Sequence, residues 1–144
     1  MRFYGEQDVT MDDRGRIPVP ARYRDAFKDG GVLVQVAPDH LRLYTVTQYE
    51  QESAFVEGEP AFRLRGQRLR RGWYGRSWTV ELDRQGRVLI PANVRQRVGL
   101  NGALVLVGLG QFFEIWNAER WEQEMSVVEE EYQRAVESLE EPRP

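Results

Sequence analysis

Asp12-Asp13-Arg14-Gly15-Arg16-Ile17-Pro18-Val19-Pro20-Ala21 and Asp83-Arg84-Gln85-Gly86-Arg87-Val88-Leu89-Ile90-Pro91-Ala92 are two copies of one pattern. Both read Asp-x-x-Gly-Arg-apolar-x-apolar-Pro-Ala, and the offset between them is 71 residues from Asp12/Asp83 to Ala21/Ala92. A repeat changes what the folding unit is, so it has to be read before anything else. Two copies are too few for a solenoid. They predict one half-domain used twice, with the halves packed about a pseudo-twofold axis.

Each copy has a physical reading. Val9-Thr10-Met11 and Val80-Glu81-Leu82 have the composition of strand ends. The Asp, the polar pair and the Gly that follow form a tight reversal in which Gly15 or Gly86 supplies a positive φ. Arg16 to Val19 and Arg87 to Ile90 begin a return strand. Pro20 and Pro91 then open a short helix, where a missing N–H is harmless. The unit is therefore strand, turn, strand, helix, and its turn carries a carboxylate and one or two guanidinium groups.

The chain has 144 residues, 41% of them hydrophobic and 30% charged, which is enough for one sizeable core or two small intertwined ones. With no cysteine there is no disulfide, no thiolate metal site and no Cys nucleophile. No apolar run reaches membrane-spanning length, and Met1-Arg2-Phe3-Tyr4-Gly5 lacks the apolar core of a signal peptide, so a cytoplasmic protein without a membrane partner is expected. The net charge of −3 conceals a segregation. Between Ala61 and Arg97 the basic residues are Arg63, Arg65, Arg68, Arg70, Arg71, Arg76, Arg84, Arg87, Arg95 and Arg97, against only Glu81 and Asp83. From Glu114 to Glu141 the balance reverses, with clusters at Glu129-Glu130-Glu131 and Glu140-Glu141. Lys28 is the only lysine; arginine suits bidentate phosphate or guanine contacts, and a GC-rich genome or heat-adapted host would explain the same bias.

Taken in order, the chain opens with the aromatic pair Phe3-Tyr4, expected on the core. The first repeat and its helix, Ala21 to Lys28 with Tyr23, Ala26 and Phe27 on one side, end at Gly30-Gly31. Val32 to Val36 and Leu41 to Val46 pattern as a hairpin, and Thr47-x-x-Glu50 as a capping box that brings Tyr49 inward. Past Glu57-Gly58-Glu59-Pro60, the stretch Ala61 to Arg71 reads as a basic helix with Phe62 and Leu69 as its apolar contacts. An extended segment from Trp73 to Leu82 follows. Ala92 to Val98 is a helix ending at Gly99, and Ala103 to Val107 pairs with Phe112 to Trp116 around Gly108 to Gly110. Asn117 caps a last, long helix that Pro142 stops. Its Trp121, Met125, Val128, Tyr132, Ala135 and Leu139 form a narrow seam, which covers either the chain's own barrel or a neighbouring subunit. The organisation expected is a first unit at 5–49, a basic connector at 50–76, a second unit at 77–120, and a helix and tail at 121–144.

These residues resemble the MraZ family, whose members carry two SpoVT–AbrB-type swapped-hairpin units in one polypeptide. The likeness rests on Asp12-x-x-x-Arg16 and Asp83-x-x-x-Arg87, each followed by apolar positions and Pro-Ala. Leu41-x-Leu43-Tyr44, Glu114-Ile115-Trp116 and the helix with Trp121 add to it, and it covers nearly the whole chain. Arg71-Gly72-Trp73-Tyr74 departs from it, being bulkier than the small-residue stretch of the family. The resemblance implies a mostly β fold with helices, two units forming one pseudo-twofold β-barrel domain. It further implies a sequence-specific DNA-binding protein, usually a repressor, at the promoter of the division and cell-wall gene cluster. The expected partners are double-stranded DNA carrying short direct repeats upstream of its own gene, and itself, as a ring-like homo-oligomer such as an octamer. That protein is nucleoid-associated and has no cofactor, metal or small-molecule substrate.

The same resemblance carries Arg16 and Arg87 over as DNA contacts. Arg14 and Arg84 belong to the turns, and Arg22, Arg24 and Arg95 lie on the short helices just after, so the seven together make a candidate cationic surface. Asp12, Gly15, Asp83 and Gly86 are the structural turn residues. A purely structural alternative pairs Arg16 with Asp12 and Arg87 with Asp83 to lock each turn, and both roles are compatible. The basic stretch Arg63 to Arg71 suits either DNA or the acidic last helix of the same or a neighbouring chain. An enzyme reading would use Asp12 and Asp83 as paired carboxylates. Each is followed by an Arg that would keep it ionised, His40 is the lone histidine, and no P-loop or Gly-x-Gly-x-x-Gly follows a strand, so catalytic residues are not expected. Two further alternatives are an antitoxin-like module of the same superfold that binds both DNA and a toxin, which usually has one unit per chain and a disordered tail that folds on the toxin, and a ring-forming scaffold with no nucleic-acid role.

Overall fold

The offset of 71 reappears in the strand register. The computed structural model describes residues 1–140; Pro142, expected to end the last helix, lies outside the described residues. The strands are β1 (Phe3–Thr10), β2 (Arg16–Pro18), β3 (Gly31–Val34), β4 (His40–Thr45), β5 (Ser77–Val80), β6 (Arg87–Leu89), β7 (Ala103–Gly110) and β8 (Phe113–Asn117). The helices are α1 (Val46–Glu52), α2 (Ala54–Glu57), α3 (Leu64–Trp73), α4 (Ala92–Val98) and α5 (Ala118–Glu140), with 3₁₀ turns at Ala21–Phe27 and Tyr74–Arg76. The six-stranded antiparallel sheet has the order β1-β7-β8-β4-β3-β5, and β2 pairs with β6 in a separate ribbon. Shifting by 71 turns the ribbon pair Arg16↔Leu89 into Arg87↔Pro18 and leaves Ile17↔Val88 on itself. The same shift exchanges Arg42↔Glu114 with Leu43↔Phe113 at the β4–β8 seam. The pseudo-twofold axis therefore passes through Ile17 and Val88 and between those two sheet pairs. Each unit's first strand pairs with the other unit's hairpin, β1 with β7 and β5 with β3, so the two halves are interleaved.

The expected barrel is not closed by strand pairing. β1 and β5 are the sheet's edges, and the ribbon lies across one face. The ribbon strands are three residues long, and prolines at 18, 20 and 91 withhold donors just where a ladder would have to continue. Hydrophobic packing takes over. Ile17, Val19, Val88 and Ile90 sit fully buried against Leu33, Leu41, Leu43, Leu104, Leu106, Phe113 and Ile115 of the sheet. Phe3 joins this core, at 1% exposure and stacked on Phe113, while its neighbour Tyr4 is 63% exposed because alternate strand residues point to opposite faces. Gly108, the ladder partner of Gly5, has to be glycine: a side chain there would strike the backbone of Phe3 and Tyr4.

The other face of the sheet carries two separate covers. Val32, Val34 and Tyr44 pack under Val56 and Trp73, brought by α1–α3; Val105, Val107 and Trp116 pack under Trp121 of α5. Several local expectations change here. Thr45, not Thr47, caps α1, its Oγ accepting from the Gln48 N–H at 3.2 Å; Thr45-x-x-Gln48 is itself a cap sequence, placed where β4 ends. The basic helix begins at Leu64, and Phe62 is 79% exposed; the contacts are made by Leu69 and Trp73. Trp73 closes α3 and does not begin an extended segment. Its indole stacks on Tyr49 and donates to Ser53 Oγ at 2.8 Å, which holds that turn helical and gives the bulky departure at 71–74 a packing role. β7 continues to Gly110, past the expected turn at Gly108, because β1 pairs with it along its full length.

Candidate nucleic-acid interface

Each turn is built by its aspartate. Asp12 Oδ1 accepts from the backbone N–H groups of Arg14 and Arg16 at 3.0 and 2.9 Å, and its Oδ2 accepts from Arg16 Nε at 2.7 Å. Asp83 repeats the arrangement, accepting from Gln85 and Arg87 N–H groups at 2.9 Å each and from Arg87 Nε at 2.9 Å. The glycine N–H closes the reversal onto the aspartate carbonyl, Gly15 to Asp12 and Gly86 to Asp83, both at 3.0 Å. Gly15 and Gly86 adopt φ of +87° and +76°, as the sequence requires of them.

The two turns are also tied to each other. Val19 N–H donates to Gly86 O and Ile90 N–H to Gly15 O, both at 2.9 Å, a symmetry-related pair across the ribbon. Arg87 Nη1 lies 3.6 Å from Asp12 Oδ2 while its Nε holds Asp83, so one guanidinium touches the carboxylates of both turns. The short helices cross over as well. A Cβ on Gly86 would run into the Arg24 guanidinium and one on Gly15 into that of Arg95, so each unit's helix backs the other unit's turn. Arg24 Nε donates to Val19 O at 2.9 Å; Arg95 Nε is buried without a hydrogen-bond partner among the described residues.

This geometry sorts the seven candidate arginines. Arg14, Arg22 and Arg84 are exposed, Arg22 lying over the ring of Tyr23. Arg16 and Arg87 are partly exposed and locked by Nε, which fixes the plane in which their terminal nitrogens are offered. Arg24 and Arg95 are partly buried behind the glycines. The turn backbone is the first cause that holds both carboxylates ionised: the Arg16 N–H on Asp12 brings its pKa down to about 2, with the Arg16 side chain adding to it, and the Arg87 N–H lowers Asp83 in the same way. A proton-sharing carboxylate pair is thereby disfavoured, while a fixed array of guanidinium groups suited to phosphate oxygens or guanine edges is favoured. The basic residues of α3 do not join this array: they lie with the covers on the opposite face of the sheet from the ribbon. What sequence reading did not reveal was the cross-unit pairing of Arg24 with Gly86, Arg95 with Gly15 and Arg87 with Asp12. The signal was present, since Arg24 and Arg95 are themselves 71 residues apart.

Residues 2–65 and 74–139 match the family model for the MraZ protein, described as antitoxin-like. The chain belongs to the MraZ family. The two matched stretches correspond to the two interleaved units, and residues 66–73, most of α3, fall between them. Among relatives called transcriptional regulator MraZ, one from Coxiella burnetii (strain Dugway 5J108-111) is 38% identical over 125 residues, 83% of this chain and 82% of the relative. One from Roseiflexus castenholzii is 35% identical over 127 residues, covering 88% and 89%. One from Herpetosiphon aurantiacus is 33% identical over 120 residues, covering 83% and 84%. Among the described residues no helix is long and apolar enough to cross a membrane, and no cluster of three or more metal-ligating side chains is present.

Proposed function

We propose that the chain is a DNA-binding transcriptional regulator that represses the division and cell-wall gene cluster from short direct repeats upstream of its own gene. The observation that carries this reading is the pair of interlocked arginine turns. Arg16 and Arg87 are held through Nε on either side of the pseudo-twofold axis, with Arg14 and Arg84 exposed beside them. The relatives' name, transcriptional regulator, supports the regulatory part of this reading. Exposed arginines supply phosphate contacts, which position the protein, and the two locked guanidinium groups supply base contacts, which specify sequence. Arg24 and Arg95 act behind the turns, holding them in shape. Nothing in the scheme needs a catalytic step, a cofactor or a metal. The working form is a ring-like homo-oligomer on the nucleoid, in which each subunit raises the local concentration of turns for the next repeat.

The test is a binding titration of the full chain on the duplex upstream of its own gene and on a scrambled duplex, at several salt concentrations, with light scattering on the same sample. The expected result is tighter binding to the upstream duplex, falling linearly in log K against log salt, by a particle of several times 16.8 kDa. Equal affinity for both duplexes would remove the sequence-specific reading; a 16.8 kDa particle at every concentration would remove the ring.

A further inference from the structure

The two units diverge after their second hairpins. In the first, α1 breaks at Ser53 and the chain folds back through α2 and α3 over its own half of the sheet. In the second, α5 begins at the equivalent place but runs straight on for 23 residues. Its apolar seam starts on the sheet, with Trp121 buried and Met125 packed beside it, and then leaves it: Tyr132 is 66% and Leu139 82% exposed. The portion from Ser126 to Glu140, about 20 Å of helix, carries Glu129, Glu130, Glu131, Glu137 and Glu140 against Arg134 alone. Glu131 flanks the seam on one side, and Glu129 and Glu140 on the other, by helical position.

On the same outer face of the molecule, α3 has the opposite character. It carries Arg65, Arg68, Arg70 and Arg71 and no acidic residue. Leu64, Arg68 and Arg71, spaced i, i+4, i+7, share its solvent face, with exposed Phe55 and Phe62 nearby. Arg65 and Arg70 pair with Glu59 and Glu57; Arg63, Arg68 and Arg71 have no ion pair among the described residues, and no ion pair there joins α3 to α5. The protruding half of α5 thus carries four net negative charges, and α3 offers Arg68 and Arg71 exposed and unpaired among the described residues, each set beside unburied apolar side chains.

We infer that the protruding half of α5 docks on the Leu64–Arg68–Arg71 face of α3 in a second copy of this chain. This rests on the ring-like assembly proposed above and names the surfaces that build it. The two surfaces differ, so the contact is head-to-tail; it leaves one free end of each kind on every copy and propagates until the ring closes. Tyr132 and Leu139 supply the apolar centre against Leu64 and Phe55, and Glu129 and Glu131 meet Arg68 and Arg71 at its rim. The contact lies on the opposite face of the sheet from the arginine turns, so assembly leaves them free for DNA.

Complementary charge reversal tests this. One full-length chain carries Glu129→Arg and Glu131→Arg, the other Arg68→Glu and Arg71→Glu, and sedimentation velocity gives the mass of each alone and of the mixture. Each variant alone is expected to fall to lower mass, because its two surfaces repel, and an equimolar mixture to regain the unmutated mass by alternating. Near-ultraviolet circular dichroism from the packed aromatic side chains, Trp73, Trp116 and Trp121 among them, reports folding. Should either reversal unfold the chain, the neutral pairs Glu129→Gln/Glu131→Gln and Arg68→Gln/Arg71→Gln apply the same test, expected to shift assembly to roughly tenfold higher concentration. Variants that keep the unmutated mass alone, or a mixture that fails to recover it, overturn the pairing while leaving the ring itself standing. An unmutated chain that is monomeric throughout removes the ring and the pairing together.

Discussion

Asp12 does three jobs in one turn: it accepts two backbone N–H groups, orients Arg16 and receives the far side of Arg87. Asp12→Ala is therefore expected to lower the melting temperature more than Arg14→Ala, since Arg14 is exposed and contributes only its backbone N–H. Equal melting temperatures would remove that role. The pH dependence has a defined sign. The Asp12 pKa is depressed from 3.8 to about 2 in the fold, so its contribution is complete above about 4 and is lost as pH falls through about 2. Melting curves of the unmutated chain and Asp12→Asn should differ at pH 5–7 and converge between pH 4 and 2; a constant difference across that range would contradict the assignment. At this scale the turn chemistry was legible in the sequence, because Asp-x-x-Gly-Arg has few other ways to satisfy its groups. The partners of Arg87, Arg24 and Arg95 across the axis were not, because local sequence says nothing about which copy of a repeat a side chain will meet.

Among the elements, the backing of each turn by the other unit's helix makes a coupled pair. Gly86→Ala should destabilise by about 1–2 kcal/mol for the left-handed backbone alone, with the clash against Arg24 added. Arg24→Ala should lose about 1 kcal/mol with its bond to Val19 O. In the double variant the clash disappears, so the summed losses should exceed the measured one in denaturant unfolding; strict additivity would mean that Arg24 does not brace the turn. At the far end, Trp121 anchors α5 by packing on Val105, Val107 and Trp116 and by donating its indole N–H to Glu6 at 2.6 Å. Trp121→Ala should cost about 3–5 kcal/mol, as for a buried Trp, and a loss under 1 kcal/mol would show that α5 does not depend on that contact. The existence of α4 and α5 was legible from period and end signals, whereas α2 and the cap of α1 at Thr45 were not. Nor were the helix boundaries at 61–76, because Trp73 is placed by its stack on Tyr49 and its bond to Ser53, contacts that span some 20 residues.

For the whole molecule, the duplicated motif announced two halves and a pseudo-twofold axis, and the strand register places that axis through Ile17 and Val88. An open sheet with a crossing ribbon was harder to foresee than a closed barrel, since closure depends on which strand edges find ladders, and that is decided by prolines and packing together. The interleaving leaves neither turn complete without the other unit, so under the proposed function the pair should act on DNA as one edge. The measurement that tests this most directly is the affinity of Arg16→Ala and Arg87→Ala for the upstream duplex, followed against salt, with assembly mass checked in parallel. Each variant is expected to keep its mass and bind the upstream duplex more weakly. A lost base contact should cost about 1–3 kcal/mol on that duplex and little on scrambled DNA; a lost phosphate contact should make the slope of log K against log salt shallower by roughly 0.9. Variants that remain assembled and bind the upstream duplex with unmutated affinity and slope would contradict the account.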